Sequence, residues 1–444
     1  MFSVGRKLNR ILLVALMAFV SSFFFISASQ AGKMAPGLEK QLANLGDNDE
    51  INVIVEMVEQ ADLSAKPGKP ARLRELQSVA SKSQSKVLAK LAKDKQEGKV
   101  NKYKGFWIFN GLAVTATKAE IQELVALENV KEVRTDTTYQ IPPNLQEKVE
   151  QAEWNIDKVR APEVWQNFGL KGKGIVVANM DTGVYASHAD LQEQYRGGPN
   201  SWHDSVNGQP TPYDDYGHGT HTMGTICGRD KGGTAIGVAP DATWIATKAF
   251  DAGGWGLSSW IHDSFQWLAD PDGNPDTDDA PNVVNNSWGN DYGLDTEFRP
   301  DVQHLNNLGI FTVFSNGNAG PSPGTVGAPA SYSFGVGATD INDEIAWFSS
   351  RGPSPIDGSI KPNVSAPGVS VWSSVPWGYT WGDGTSMAAP HVTGTIALLL
   401  EANPSLSLDQ IATTLQDTAV DLGAGGPDND YGWGRIDAYK AVSM

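Results

Sequence analysis

Gly174-Ile175-Val176-Val177-Ala178-Asn179-Met180-Asp181-Thr182-Gly183 is the stretch that decides the fold. An apolar, β-branched run ends in a carboxylate and then a glycine turn, which reads as a strand delivering Asp181 to its carboxyl end. Working outward, short apolar runs recur at 243–249, 283–286, 310–315 and 333–338, separated by stretches of helical pattern. Strands alternating with helices predict an α/β fold, a parallel sheet with helices on both faces. In such sheets, sites gather at the carboxyl ends of the strands. Taken alone, Asp181 is equally well a strand-ending aspartate that makes a turn.

Upstream the pattern differs. Residues 51–55 are a β-branched strand, and 72–99, rich in Ala, Leu, Lys, Glu and Gln, favour a helix. Residues 102–117 read as two strands turning near Asn110-Gly111, 118–127 as a helix and 130–133 as a last strand. The order β-α-β-β-α-β predicts a small α+β ferredoxin-like domain over about 51–140. Residues 32–50 read as loose, and 141–153, with Pro142-Pro143 and many charges, as an exposed linker. At 444 residues the chain has room for both domains.

The first residues set the compartment. Arg6, Lys7 and Arg10 precede an apolar stretch over 11–26, and Ser29-Gln30-Ala31 supplies small residues for a cleavage site. This is the layout of a secretory signal peptide cut after Ala31, and an uncleaved anchor is the rival reading. The divisions are therefore 1–31, 32–150 and 151–444, in a secreted, extracellular protein without stable membrane association. The lone cysteine, Cys227, excludes an internal disulfide and reads as a small buried hydrophobe.

Charge is unevenly spread. The net value is −17, yet 32–150 carries 18 basic and 17 acidic residues, whereas 151–444 carries 13 basic and 34 acidic. A body at −21 argues against nucleic acid and favours cation binding. Lys82, Lys86, Lys90, Lys93, Lys95, Lys99, Lys102 and Lys104 form a basic cluster. It is either a docking face for the acidic domain or a solvated helix face.

Two further segments carry chemistry. In Gly217-His218-Gly219-Thr220-His221 a histidine between glycines opens a helix. His218 and His221 are also spaced as metal ligands, but no further Cys or Glu stands at metal spacing nearby. In Gly384-Thr385-Ser386-Met387-Ala388-Ala389-Pro390-His391-Val392 a serine starts a long apolar helix running to about Leu400. There the helix dipole favours a developing negative charge, although a serine in that place also reads as a plain N-cap. Pro390 reads as early enough in the helix for its missing N–H to cost little. Together the three segments supply what hydroxyl attack on a carbonyl needs: a nucleophile, a base and an acid group that orients the base.

In that chain order, DTG, HGTH and GTSMAAPHV resemble the subtilisin-like (subtilase) family nearly residue by residue, over about 154–440. The resemblance implies a serine endopeptidase with the triad Asp181, His218 and Ser386. Asn318, in Phe314-Ser315-Asn316-Gly317-Asn318, resembles the family's oxyanion asparagine. Ser287, Trp288 and Gly289 resemble the strand that pairs with substrate, and Gly254, Trp255 and Gly256 the opposite edge, with Gly327 as a pocket floor that leaves room for a large side chain. Residues 51–140 resemble the family's inhibitory propeptide, removed by self-cleavage in the linker, with a new N-terminus near Ala152 or Trp154. No cofactor is implied for the chemistry. Structural calcium has candidates in Asp190, where Lys231 departs from the family's loop, and in the acidic run holding Asp270, Asp272 and Asp276. The implied partners are protein substrates and the chain's own propeptide, in a monomer. A catalytically dead binding homologue is a rival. A sedolisin-type acid peptidase is another, but it would need glutamate for His218 and aspartate for Asn318.

Overall fold

The computed structural model describes residues 32–141 and 154–444. The expected signal peptide over 1–31 and nearly all of the expected linker lie outside the described residues.

The larger unit is built on a seven-stranded sheet. Its order is Val364–Pro367, Phe334–Thr339, Phe311–Ser315, Val283–Asn286, Val176–Asp181, Thr243–Lys248 and Trp202–Asp204, every adjacent pair parallel. The five expected strands are present. Trp202–Asp204 and Val364–Pro367 carry too little apolar sequence to announce themselves. Neighbouring residues face opposite ways: Val177, Val283 and Val313 enter one core, Ala178, Val284 and Phe314 the other. Burial on both faces is why these strands read as continuous apolar runs. Helix Thr385–Ala402 is buried from Thr385 to Leu400 and fills the first core.

Strand Val176–Asp181 lies between Thr243–Lys248 and Val283–Asn286, so the chain leaves it first to one side and later to the other. That reversal opens a crevice at the carboxyl ends of the strands, the place where open α/β sheets bind ligands.

The smaller unit has an antiparallel sheet in the order Val130–Thr135, Glu50–Met57, Gly111–Thr117, Val100–Phe106. With helices Gly68–Gln96 and Lys118–Val125 this is the expected ferredoxin-like order. Residues 32–50 are not loose. Lys33–Met34 pairs parallel with Val130–Thr135, and helix Pro36–Ala43 follows. Leu38 and Leu42, one helical turn apart, bury against this unit's core and hold the segment down.

The smaller sheet docks on the larger unit through its other face. Val53 and Val55 belong to its own core, while Ile54, Phe106, Ile108 and Phe109 join Phe265 and Phe298 of the larger unit. Of the lysine cluster, Lys104 reaches across, 2.5 Å from Asp263. Lys90 turns instead to Asp94, Glu120 and Glu123 of its own unit. Much of the docking charge comes from outside that cluster: Lys69 to Asp278, Arg74 to Asp276 and Arg134 to Glu297.

Candidate active site

Asp181 closes its strand fully buried, and His218 is the first residue of helix His218–Cys227. His218 Nδ1 lies 2.8 Å from Asp181 Oδ1 and 3.0 Å from Oδ2. The glycines around them are dictated by crowding. A Cβ on Gly219 would stand 2.1 Å from the Gly183 carbonyl, and one on Gly183 2.0 Å from the Tyr213 carbonyl. Asp214, which sequence reading passed over, ties the two segments together. It accepts from Thr182 Oγ1 and, at the head of the histidine helix, from Gly217 N, Thr220 N and Thr220 Oγ1. Its signal was an acidic residue just ahead of a helix start.

Ser386 is the second residue of its helix, whose N-cap is Gly384, so it is not a capping serine. Its Oγ donates to the Ser287 carbonyl at 3.0 Å, and His218 Nε2 is buried without a partner. Pro390 lies deeper in the helix than the sequence suggested. The N–H it lacks would have bonded the Ser386 carbonyl four residues back. Ser287 Oγ supplies the missing donor at 2.8 Å, so Ser287 and Ser386 bind each other twice.

Asn318 Oδ1 accepts from Thr385 N at 3.0 Å and Thr385 Oγ1 at 2.9 Å. Its amide nitrogen then points toward Gly384, 3.4 Å from where a Cβ there would stand. Trp288, Gly289, Gly317, Asn318, Gly327 and Ser386 share one small pocket. Gly327 lines this pocket and is held to glycine by a close approach, since a Cβ there would lie 2.2 Å from the Asn290 carbonyl. The Trp288 indole turns away into an aromatic cluster with Phe250, Phe265, Phe298 and Phe314.

The opposite edge is occupied. Trp255–Leu257 pairs antiparallel with Thr138–Gln140 of the smaller unit, and Ile141 N donates to the Gly254 carbonyl at 2.8 Å. Gly254 has φ +74°, whereas Gly256 is glycine because a Cβ would lie 2.7 Å from the Ala249 carbonyl.

The metal candidates fare differently. His221 turns away from His218 to the Val371 carbonyl, and burial pushes its pKa down to about 3. Asp190 accepts from Lys231 N and the Tyr379 hydroxyl, both at 2.6 Å, and among the described residues it joins no cluster of metal-ligating side chains. Asp270 and Asp272 do come together, with Asp279 in place of Asp276, their oxygens within 4.8 Å of one another. Asp276 is drawn off by Arg74 at 2.5 Å. Burial, then mutual repulsion, raises the Asp270 and Asp279 carboxyls. Cys227 is buried, as a small hydrophobe would be.

The family profile described as Subtilase family matches residues 172–434. This chain belongs to the subtilase family. Its larger unit is that of a subtilisin-like serine endopeptidase, and a second profile, Peptidase inhibitor I9, matches the smaller unit over 52–142. The chain is 42% identical over 406 residues to Bacillopeptidase F of Bacillus subtilis (strain 168), covering 83% of this subtilase and 28% of that protein. It is 37% identical over 293 residues to Subtilisin Savinase of Lederbergia lenta, covering 65% of this chain and 98% of the relative. Alkaline elastase YaB of Bacillus sp. (strain YaB) is 37% identical over 292 residues, covering 65% of this chain and 70% of the relative. The chain thus spans under a third of Bacillopeptidase F but nearly all of a subtilisin. Among the described residues no helix is long and apolar enough to cross a membrane.

Proposed function

We propose that the protein is a secreted serine endopeptidase that frees itself from its own inhibitory propeptide. Ser386 attacks the peptide carbonyl, His218 takes its proton and returns it to the leaving amine, and Asp181 orients the imidazole and stabilises its cation. The Asn318 amide and the Ser386 backbone N–H hold the oxyanion. The observation that carries this reading is the Asp181–His218 pair with an unpartnered Nε2, at the end of the strand where the sheet order reverses, on a helix packed against the one that Ser386 begins. The relay requires the Ser386 hydroxyl to leave the Ser287 carbonyl for His218 Nε2.

The domains of the proposal are a signal peptide over 1–31, a propeptide over 32–150 and a catalytic domain over 151–444. Self-cleavage falls between two anchors. Ile141 is bound at the cleft, while Trp154 is buried in the catalytic unit with its Nε1 on the Ser370 carbonyl at 2.9 Å. A new N-terminus near Ala152 or Trp154 leaves the second anchor in place. Structural calcium, if the mature enzyme takes it, would be held by Asp270, Asp272 and Asp279, a hard-oxygen set suited to that ion.

The test compares wild type with Ser386→Ala, both expressed from the full chain. Intact mass and peptide release from casein at neutral pH are the readouts. Wild type is expected to shorten to about 150–444 and digest casein, with the variant uncut and about 10⁶-fold less active, a magnitude that belongs to subtilisin itself. Equal behaviour of the two proteins overturns the assignment.

A further inference from the structure

The propeptide does more than cover the cleft. Strand Thr138–Gln140 adds to edge strand Trp255–Leu257, with Gln140 opposite Trp255 and Tyr139 opposite Gly256. Strand addition is how an extended peptide is recognised: main-chain bonds give affinity, and pockets under alternate side chains give specificity. Tyr139 fills such a pocket. It is 3% exposed, and its ring lies 5.1 Å from that of Phe298. Phe298 is backed edge-on by Trp288 at 5.6 Å, so aromatic rings stand behind the one that Tyr139 meets.

The phenol is met by a prepared acceptor. Tyr139 OH donates to Asp295 Oδ2 at 2.8 Å. Asn290 Nδ2 donates to the same oxygen at 2.7 Å, and Glu297 N to Oδ1 at 2.9 Å. Apart from Tyr139, every group here belongs to the catalytic unit and stays when the propeptide leaves. An apolar slot alone accepts phenylalanine and tyrosine about equally. A slot ending in an oriented carboxylate does not, because phenylalanine would return no hydrogen bond to that acceptor.

We infer that the pocket now filled by Tyr139 is a tyrosine-selective subsite of the mature cleft, and that Asp295 reads the substrate's phenol hydroxyl. This rests on the endopeptidase reading, since it supposes that protein substrates add to the same edge strand as Thr138–Gln140. Trp288 acts at one remove, as the support of Phe298.

The test uses enzyme matured from the full chain. Internally quenched peptides carry Tyr or Phe at each position before the cleaved bond, and mass spectrometry locates the cut. One position is expected to favour Tyr over Phe about tenfold in kcat/KM, and the ratio is expected to fall to about one in Asp295→Ala. The ratio is internal, so a partly active variant still reports it. Rates for Tyr and Phe within twofold at every position overturn the inference, as does a preference that survives Asp295→Ala. If wild type cleaves none of the peptides, or Ser386→Ala cleaves them as well as wild type, the endopeptidase reading is what fails. Recognition is then read without catalysis, by thermal unfolding of uncut Ser386→Ala protein. Tyr139→Phe is expected to lower the midpoint when Asp295 is present and to leave it unmoved when Asp295 is Ala. Additive shifts overturn the inference.

Discussion

The cleft is bounded by two interfaces made of different materials. Between the seven-stranded sheet and helix Thr385–Ala402 the contact is apolar and neutral: Val177, Val313, Val336, Val392 and Ile396, with small hydroxyls such as Ser287 bonded to backbone. Between the propeptide and the catalytic unit an apolar centre is ringed by charge. Arg134 makes a bidentate pair with Glu297 at 2.6 and 2.7 Å, and Lys104 meets Asp263. Asp136 accepts from Ser259 N and Oγ, capping from outside a helix, Ser258–Ala269, that lacks a side-chain cap of its own. The first interface gains its stability from apolar burial. The second gains orientation and stays sensitive to pH and to single charges.

Each side of that contrast can be broken. On the catalytic side, Asn318→Ala is expected to lower kcat by about 10²–10³-fold with little change in KM, a magnitude known from subtilisin itself. A KM effect alone would place Asn318 in ground-state binding.

On the propeptide side, Arg134→Ala leaves Glu297 buried without its guanidinium. The propeptide supplied in trans should then inhibit mature enzyme about a hundredfold less well. An unchanged inhibition constant would mean that the apolar centre alone holds the complex.

The smallest effect is in pH. Burial opposes the charge on His262, but the carboxylates of Asp301 and Glu297 outweigh it and lift its pKa from 6.5 to about 9. Because the folded value is raised, this stabilisation is complete below about pH 6.5 and is lost as pH rises through about 9. Burial likewise opposes the charge on Glu297, which Arg134 and His262 overcome, holding it near 2, so its share fails only in strong acid. The thermal midpoint of uncut Ser386→Ala protein should therefore include a fall between pH 6.5 and 9 that His262→Gln diminishes. Equal slopes in the two proteins would mean that the network carries no net charge advantage.

The sequence by itself determined the class of fold and the chemistry. Runs such as Val283–Asn286 and Phe311–Ser315 are buried on both faces, so their apolar content is local and legible. Asp181 and His218 sit in segments where Gly183 and Gly219 are required by close backbone approach, and Ser386 follows Gly384, whose φ of +147° favours glycine, which leaves a residue-level imprint. Tertiary structure alone decided the rest. That Ser287 replaces the bond Pro390 removes depends on two segments about a hundred residues apart meeting at one carbonyl. The exchange of Asp276 for Asp279 in the acidic group depends on an arginine about two hundred residues upstream. Helix Pro36–Ala43 forms in a polar stretch because two leucines find a sheet to bury against. Asp295 and Phe298 read as ordinary loop residues until Tyr139 arrives between them from the other unit. Local composition encodes what a residue does with its neighbours in the chain. It does not encode which distant hydrogen-bond donor or aromatic face the fold will bring to it.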